Sequence, residues 1–243
     1  MSRTLIFCAL AYALALTLSI QGSSLWADEA FSAWLASHES LRSLGWSLFH
    51  GDSSDLQMGL YYLYLFFWVR LFGAGEYALR AANIPFILIF CFSLVWTSWT
   101  VFRSRIAWIA AALLPFVWHY ASEARPYMAI LALGAAAIAS LLGFIQTSGP
   151  GSRKFPWLCL GCVLAGGCFH MLYLLVVPPM ALAGFLYWQR SRGEQHWRYW
   201  VRPLRVFALP FCAEAAFFIF TFARGTAYDY PQPGLRQMAS VFY

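Results

Sequence analysis

Pro126-Tyr127-Met128-Ala129-Ile130-Leu131-Ala132-Leu133-Gly134-Ala135-Ala136-Ala137-Ile138-Ala139-Ser140-Leu141-Leu142-Gly143-Phe144-Ile145-Gln146 runs for 21 residues without a charged side chain. About 20 apolar residues of helix are enough to cross the hydrocarbon core of a bilayer. Proline is tolerated in the first turn of a helix, so Pro126 marks a start. Outward from this stretch, further apolar segments lie at roughly 4–20, 57–72, 81–101, 106–121, 156–172, 173–189 and 204–223. Their abundance explains the composition: 61% of the 243 residues are hydrophobic and 11% are charged. A soluble domain carries about a quarter charged residues, and one of this length could not hide so much apolar surface. Aromatic residues make up 19%, with 12 Trp and 13 Tyr, the residues that favour the boundary between lipid and water. The expected fold class is all-α: a polytopic helical membrane protein forming a single transmembrane domain over 1–243.

The formal net charge is +6, from 16 Lys and Arg against 10 Asp and Glu. The basic residues sit between apolar segments, above all Arg190, Arg192, Arg198, Arg202 and Arg205. That is the pattern of a cytoplasmic loop under the positive-inside rule, and it argues against nucleic acid as a partner. The long polar stretch 21–56 is acidic, with Asp28, Glu29, Glu39, Asp52 and Asp55 against Arg42 alone, so it belongs outside the cytoplasm. The basic stretch 190–205 belongs inside. Six apolar segments separate the two, whereas passing from outside to inside takes an odd number of crossings.

One segment therefore does not cross. The weakest is 57–72, which is short and ends in Trp68-Val69-Arg70, a charge that is costly in lipid. With it excluded, Arg103, Arg105, Arg153 and Lys154 fall inside, and Arg80, Glu123, Arg125 and His170 fall at the outer side. The competing arrangement lets 57–72 cross and makes 156–189 one long span, with Arg103 and Arg105 outside. The first segment reads as a retained anchor, because no small-x-small cleavage pattern follows it in Ser19-Ile20-Gln21-Gly22-Ser23-Ser24. Cys8, Cys91, Cys159, Cys162, Cys168 and Cys212 all lie within apolar runs and read as small hydrophobes, the Cys159-Leu160-Gly161-Cys162 spacing included. Gly149-Pro150-Gly151-Ser152 is a turn-rich connector, and no internal repeat is evident.

Four clusters carry groups capable of chemistry. Leu25-Trp26-Ala27-Asp28-Glu29-Ala30-Phe31-Ser32 follows the first segment, and Ala30, Phe31, Trp34 and Leu35 recur at helical spacing. The spacing predicts a short helix in the membrane interface with its acidic face toward water. Two acids in a first turn also complement the helix dipole without any catalytic role. Tyr120-Ala121-Ser122-Glu123-Ala124-Arg125-Pro126-Tyr127 joins two apolar segments. Its Glu123 and Arg125 could form a structural pair or hold a phosphate, which suits the two-pronged guanidinium. Phe72-Gly73-Ala74-Gly75-Glu76-Tyr77-Ala78-Leu79-Arg80 places Arg80 where it can snorkel to the interface or join Arg125. Asp55 precedes Gln57-Met58-Gly59-Leu60-Tyr61-Tyr62, and His170 stands in an apolar run.

The order of these elements resembles the GT-C glycosyltransferases, in particular the branch with the protein O-mannosyltransferases and the bacterial enzymes that decorate lipopolysaccharide or lipid A. The likeness consists of the Asp28-Glu29 pair in the first outer loop, Leu60-Tyr61-Tyr62, Arg80 after Phe72-Gly73-Ala74-Gly75-Glu76, then Glu123-Ala124-Arg125-Pro126-Tyr127 and the later His170. It runs from about residue 4 to about residue 190. It implies a GT-C-like transmembrane bundle whose outer first loop contains short interfacial helices. It further implies a transferase in the plasma or bacterial inner membrane that moves a sugar from a polyprenyl-phosphate donor to a glycan, lipid or protein acceptor at the outer face. Carried over residue by residue, Asp28 is the general base with Glu29 beside it, and Arg80, Glu123 and Arg125 line the cavity, joined by Asp55, Gln57, Tyr61 and His170.

The chain departs from that pattern in two places. Gln57-Met58-Gly59 stands where the family usually has His-Pro-Pro, so the role of that His passes to Gln57 or Asp55. The chain ends at Tyr243, where the family generally continues with further helices and an outer domain, so the expectation is a shortened form of a longer enzyme. Asp28, Glu29 and Glu123 offer oxygen ligands for a divalent cation without selecting one. From other classes, a transporter would line a solute path with the same charges, but repeated halves are not visible. A non-catalytic membrane subunit is the third reading. The preferred topology is testable: a cysteine introduced at Ser104 resists an impermeant thiol reagent added from outside, and ready labelling there would overturn it.

Overall fold

A computed structural model describes residues 3–50, 54–100, 103–104, 107–146, 153–191 and 194–225. Among them all regular structure is helical. The elements are α1 (Arg3–Leu18), α2 (Ala27–Ala36), α3 (Leu41–His50), a 3-10 turn (Ser54–Met58) leading into α4 (Gly59–Phe72), α5 (Glu76–Ala81) and α6 (Ile84–Thr100). There follow α7 (Ala107–Ala112), α8 (Pro115–Ala121), α9 (Tyr127–Gln146), α10 (Lys154–Phe169), a second 3-10 stretch (Met171–Val176), α11 (Val177–Ser191) and α12 (Glu194–Gly225). Asp52, Arg105, the 149–152 connector, Arg192 and the end of the chain after residue 225 lie outside the described residues, as do the side chains of Arg190 and Arg198.

Among the described residues, three stretches are long and apolar enough to cross a membrane: Glu76–Thr100, Tyr127–Gln146 and Tyr199–Thr221. α1 and α10 have 16 residues each, which at 1.5 Å per residue rise about 24 Å. α4 has 14 residues and rises about 21 Å, short of a hydrocarbon core about 30 Å thick.

Two segments differ from the sequence reading. The apolar stretch 106–121 is two short helices rather than one, because Leu114 is extended (φ −69, ψ 119) just before Pro115. Proline's ring disfavours helical backbone in the residue before it, and its missing N–H is harmless only in a first turn. The basic stretch 190–205, expected as a loop, is helical from Glu194 onward as the start of α12. Glu, Gln and Arg are good helix formers, so polarity alone did not mark a break.

α1 packs on α6, α6 on α9, α9 on α10 and α10 on α12, while α2 and α3 cover α4. The main core draws Leu16 of α1, Leu35 of α2, Leu65 of α4, Ile87 of α6 and Met128 of α9 into one cluster. On α10, Gly166 admits the ring of Tyr173, and Gly167 admits the carboxyl of Glu214 from α12, close against the Cys168 thiol. A Cβ at either glycine would collide with these groups. α12 presents Leu204, Val206, Leu209, Ile219 and Phe220 outward, and Glu214 faces inward together with Trp200, Phe211 and Phe217. Gly167→Val should therefore destabilise the α10–α12 contact by about 1–3 kcal/mol, lowering the unfolding midpoint in detergent. Gly184→Ala, in α11 with open space around it, should leave that midpoint unchanged or raise it.

Candidate functional site

Trp26 is extended (φ −78, ψ 169) immediately before α2. Its N–H donates to Glu29 Oε2 at 3.4 Å, tying down one of the donors that a helix start leaves open. One residue per 100° of rotation then separates the neighbouring acids. Glu29 is 1% exposed and Ser32 0%, while the Asp28 side chain keeps 52% of its surface. α2 thus turns Glu29 and Ser32 into the protein together with Leu35 and leaves Trp34 outside, so of the acidic side expected to face water Asp28 does and Glu29 and Ser32 do not. The reason is two buried arginines on other elements, because a buried carboxylate is tolerable when a charged partner and hydrogen bonds meet it.

The first is Arg80, near the end of α5. Its Nε donates to Glu29 Oε1 at 3.0 Å and its Nη2 to Oε2 at 2.6 Å. The remaining donors go to the chain after α1: Nη1 to Gln21 O (2.7 Å), Ser23 O (2.8 Å) and Ser23 Oγ (3.0 Å), and Nη2 to Ser24 O (3.3 Å). Every nitrogen of this guanidinium is engaged by the protein, so Arg80 holds a clamp between α5, α2 and the chain after α1. Glu29 Oε1 also receives the Ala124 N–H at 2.7 Å. Burial alone would push the Glu29 carboxyl up, but the bonds from Arg80 and Ala124 outweigh it and hold its pKa below the usual carboxylate value.

Ala124 belongs to the turn between α8 and α9, and a residue that the sequence reading passed over holds the other side of that turn. Asn83, 2% exposed, donates from Nδ2 to the carbonyls of Tyr120 (3.2 Å), Ala121 (3.2 Å) and Glu123 (2.6 Å). The Glu123 side chain is buried with His119 Nε2 at 3.6 Å. Burial raises its pKa, helped by the charges of Glu29 and Asp28 and opposed by His119 and Arg125.

Arg125 is the second buried arginine and the meeting point of the site. Its Nη1 lies 3.6 Å from Asp55 Oδ1 and donates to Ser32 Oγ and Tyr62 OH, each at 3.3 Å. Its Nη2 lies 3.8 Å from Asp28 Oδ2. Tyr62 in turn donates to Asp55. Burial opposes the charge on Arg125, but Tyr62, Tyr127, Asp55 and Asp28 more than offset it. His170 is within electrostatic reach of Arg125 and Asp55, with its ring 6.2 Å from that of Tyr127. Tyr61 is buried against Tyr62, and half-buried Gln57 sits on the 3-10 turn that presents Asp55.

The residues expected in one cavity thus divide into two groups, with Glu123 in neither and beside His119. Asp28, Asp55, Arg125 and His170 converge, with Tyr61 and Gln57 alongside, while Glu29 and Arg80 form the clamp that carries α2 and the 122–126 turn. Ser32 and Tyr62 belong to the converging group and lay hidden as an ordinary helix serine and part of an aromatic run. Among the described residues, no three His, Cys, Asp or Glu side chains gather as a metal site. Asp28, Glu29 and Glu123 do not fit a divalent cation, because Arg80 and Ala124 occupy Glu29 and the Arg125 guanidinium flanks Asp28.

Because the folded-state pKa of Glu29 is lowered, its stabilisation is present above the ordinary Glu value of about 4.3 and is lost as pH falls through the lowered value. Glu29→Leu removes that acid-side slope from the unfolding midpoint. It also leaves Arg80 buried and unpaired, at a cost of about 3–5 kcal/mol near neutral pH, readable by thermal unfolding in detergent across pH 3 to 8. No protein-family model matches the chain, and among curated proteins and solved structures none matches it significantly.

Proposed function

We propose that the protein is a polytopic membrane glycosyltransferase of GT-C type, transferring a sugar from a polyprenyl-phosphate carrier to an acceptor hydroxyl at the outer membrane face. The observation that carries this reading is the half-exposed Asp28 carboxylate beside the buried Arg125 guanidinium, from residues 97 positions apart. The motifs whose order resembles that family lie far apart in sequence, and their coming together around Arg125 supports it. The apolar helices α1, α6, α9, α10, α11 and α12 and the α7–α8 pair would hold the lipid-borne donor, with α4 entering without passing through.

In this reading the Asp28 carboxylate accepts the proton of the acceptor hydroxyl as that oxygen forms its bond to the anomeric carbon. The bond between that carbon and the phosphate oxygen breaks, and its electron pair leaves with the polyprenyl phosphate. Arg125 offsets the negative charge that develops there. Its Nε is buried and has no hydrogen-bond partner among the described residues, which leaves one donor for a ligand oxygen. Asp55, Tyr62 and Ser32 fix the guanidinium while it does so. Glu29 and Arg80 take no part in the transfer and keep α2 in place, so that Asp28 faces out as Glu29 faces in.

The test is release of free polyprenyl phosphate by protein reconstituted in liposomes and supplied with undecaprenyl-phosphate pentoses and hexoses as donors and with lipid A and lipopolysaccharide as acceptors. Asp28→Asn should insert normally and lose at least about 100-fold in turnover. Arg125→Lys, which cannot reproduce the fork, should fall as well. Turnover by Asp28→Asn equal to that of the parent would sink the assignment.

A further inference from the structure

We propose that Asn83 is a positioning residue that sets the approach of Arg125 to Asp28 by gripping the backbone of the turn between α8 and α9. A helix end leaves its last carbonyls without partners. α8 ends at Ala121, and three carbonyls at and just beyond that end, those of Tyr120, Ala121 and Glu123, converge on the one side-chain nitrogen of Asn83. An amide nitrogen brings two N–H groups, so three acceptors share two protons and the shortest bond, 2.6 Å, goes to Glu123. That same Glu123 carbonyl accepts the backbone N–H of Arg125 at 2.8 Å. One oxygen therefore links the Asn83 amide to the main chain that carries the guanidinium.

Asn83 has a rigid base from which to hold. Its backbone N–H donates to Arg80 O at 3.0 Å, and its carbonyl receives the Ile87 N–H at 2.9 Å, so it is built into the start of α6. Glu29 meanwhile receives the Ala124 N–H from the opposite side of the turn. The turn is held through a donor by α2 and through its acceptors by Asn83. Without Asn83, the bond to Glu29 and the contacts of the Arg125 guanidinium with Ser32, Tyr62, Asp55 and Asp28 are left to hold the turn, and the main chain that sets the approach of Arg125 to Asp28 loses its support from α6. The chemistry required is specific: Leu at 83 has the size without the donors, Asp sets a carboxylate against three carbonyl oxygens, and Gln restores donors with one extra methylene.

The catalytic consequence rests on the proposed transfer reaction, whereas the geometric one does not, and the experiment separates them. Spin labels go on exposed Ala30 of α2 and Phe116 of α8, with Leu88 of α6 and Ile138 of α9 as a control pair. The background carries alanine at Cys8, Cys168 and Cys212, and the protein is reconstituted in liposomes. Asn83→Leu and Asn83→Asp should shift or broaden the Ala30–Phe116 distance distribution beyond that of the parent and leave the control pair unchanged. Asn83→Gln should recover part of the parent distribution. In the phosphate-release assay, displacement of about 1 Å should cost about 100-fold in turnover. An unchanged Ala30–Phe116 distribution in Asn83→Leu overturns the proposal, as does an equal change in the control pair or a shifted distribution with parental turnover. A shift confined to Ala30–Phe116, in a protein whose parent releases no polyprenyl phosphate, upholds the role of Asn83 and removes the transfer reading instead.

Discussion

A carboxylate taken out of water must find its charge and its hydrogen bonds elsewhere, and the site is arranged around how Glu29 does so. Two arms of the Arg80 guanidinium and the Ala124 N–H meet its two oxygens. Because Arg80 also binds the carbonyls of Gln21, Ser23 and Ser24, the ion pair joins four pieces of chain: the stretch after α1, α2, α5 and the α8–α9 turn. The desolvation cost of such a pair is large, and only this full set of bonds offsets it. The pair therefore fixes the geometry of these segments more than it adds to stability.

Glu29 and Asp28 are neighbours with opposite surroundings, and helix geometry produces the difference. A rotation of about 100° sends one carboxylate into the clamp and leaves the other at the surface beside Arg125. The two arginines divide in the same way. Arg80 is saturated by protein acceptors, whereas Arg125 is surrounded by groups at the outer limit of contact and has a buried Nε without a hydrogen-bond partner among the described residues. A closed pair that orients an open one is the arrangement expected of a preorganised polar site.

Much of this was legible in the sequence. The apolar run 126–146 became α9 because no charge or internal proline interrupts it, and α2 began at Ala27 as the spacing of Ala30, Phe31, Trp34 and Leu35 required. The direction of α2 was not legible. Periodicity separates a polar face from an apolar one, but which face is buried depends on Arg80 and Arg125, 51 and 97 positions away. Asn83 and Ser32 were silent for the same reason, since each looks like a tolerated polar residue until its carbonyl or guanidinium partner is known. The break before Pro115 was readable from the proline, yet the surrounding hydrophobicity masked it. Glu214 is not legible either, because one acid in a long apolar run has no partner visible in sequence, and its partner surface is Gly167 beside Cys168 on α10.

The clamp also imposes an order on synthesis. Glu29 emerges 51 residues before Arg80 and 95 before Ala124. At about 5–20 residues per second, the acid waits between a few and about ten seconds for its arginine and longer for the N–H. During that interval the Trp26 N–H and water are its partners and no cation of the clamp has yet been made, so burying the carboxylate is unfavourable while α2 forms. The segment between α1 and α4 must stay open until α5 arrives, and the tract after α1 is captured by Arg80 only then. Assembly of this end of the molecule is therefore paced by a residue made well after the loop that depends on it.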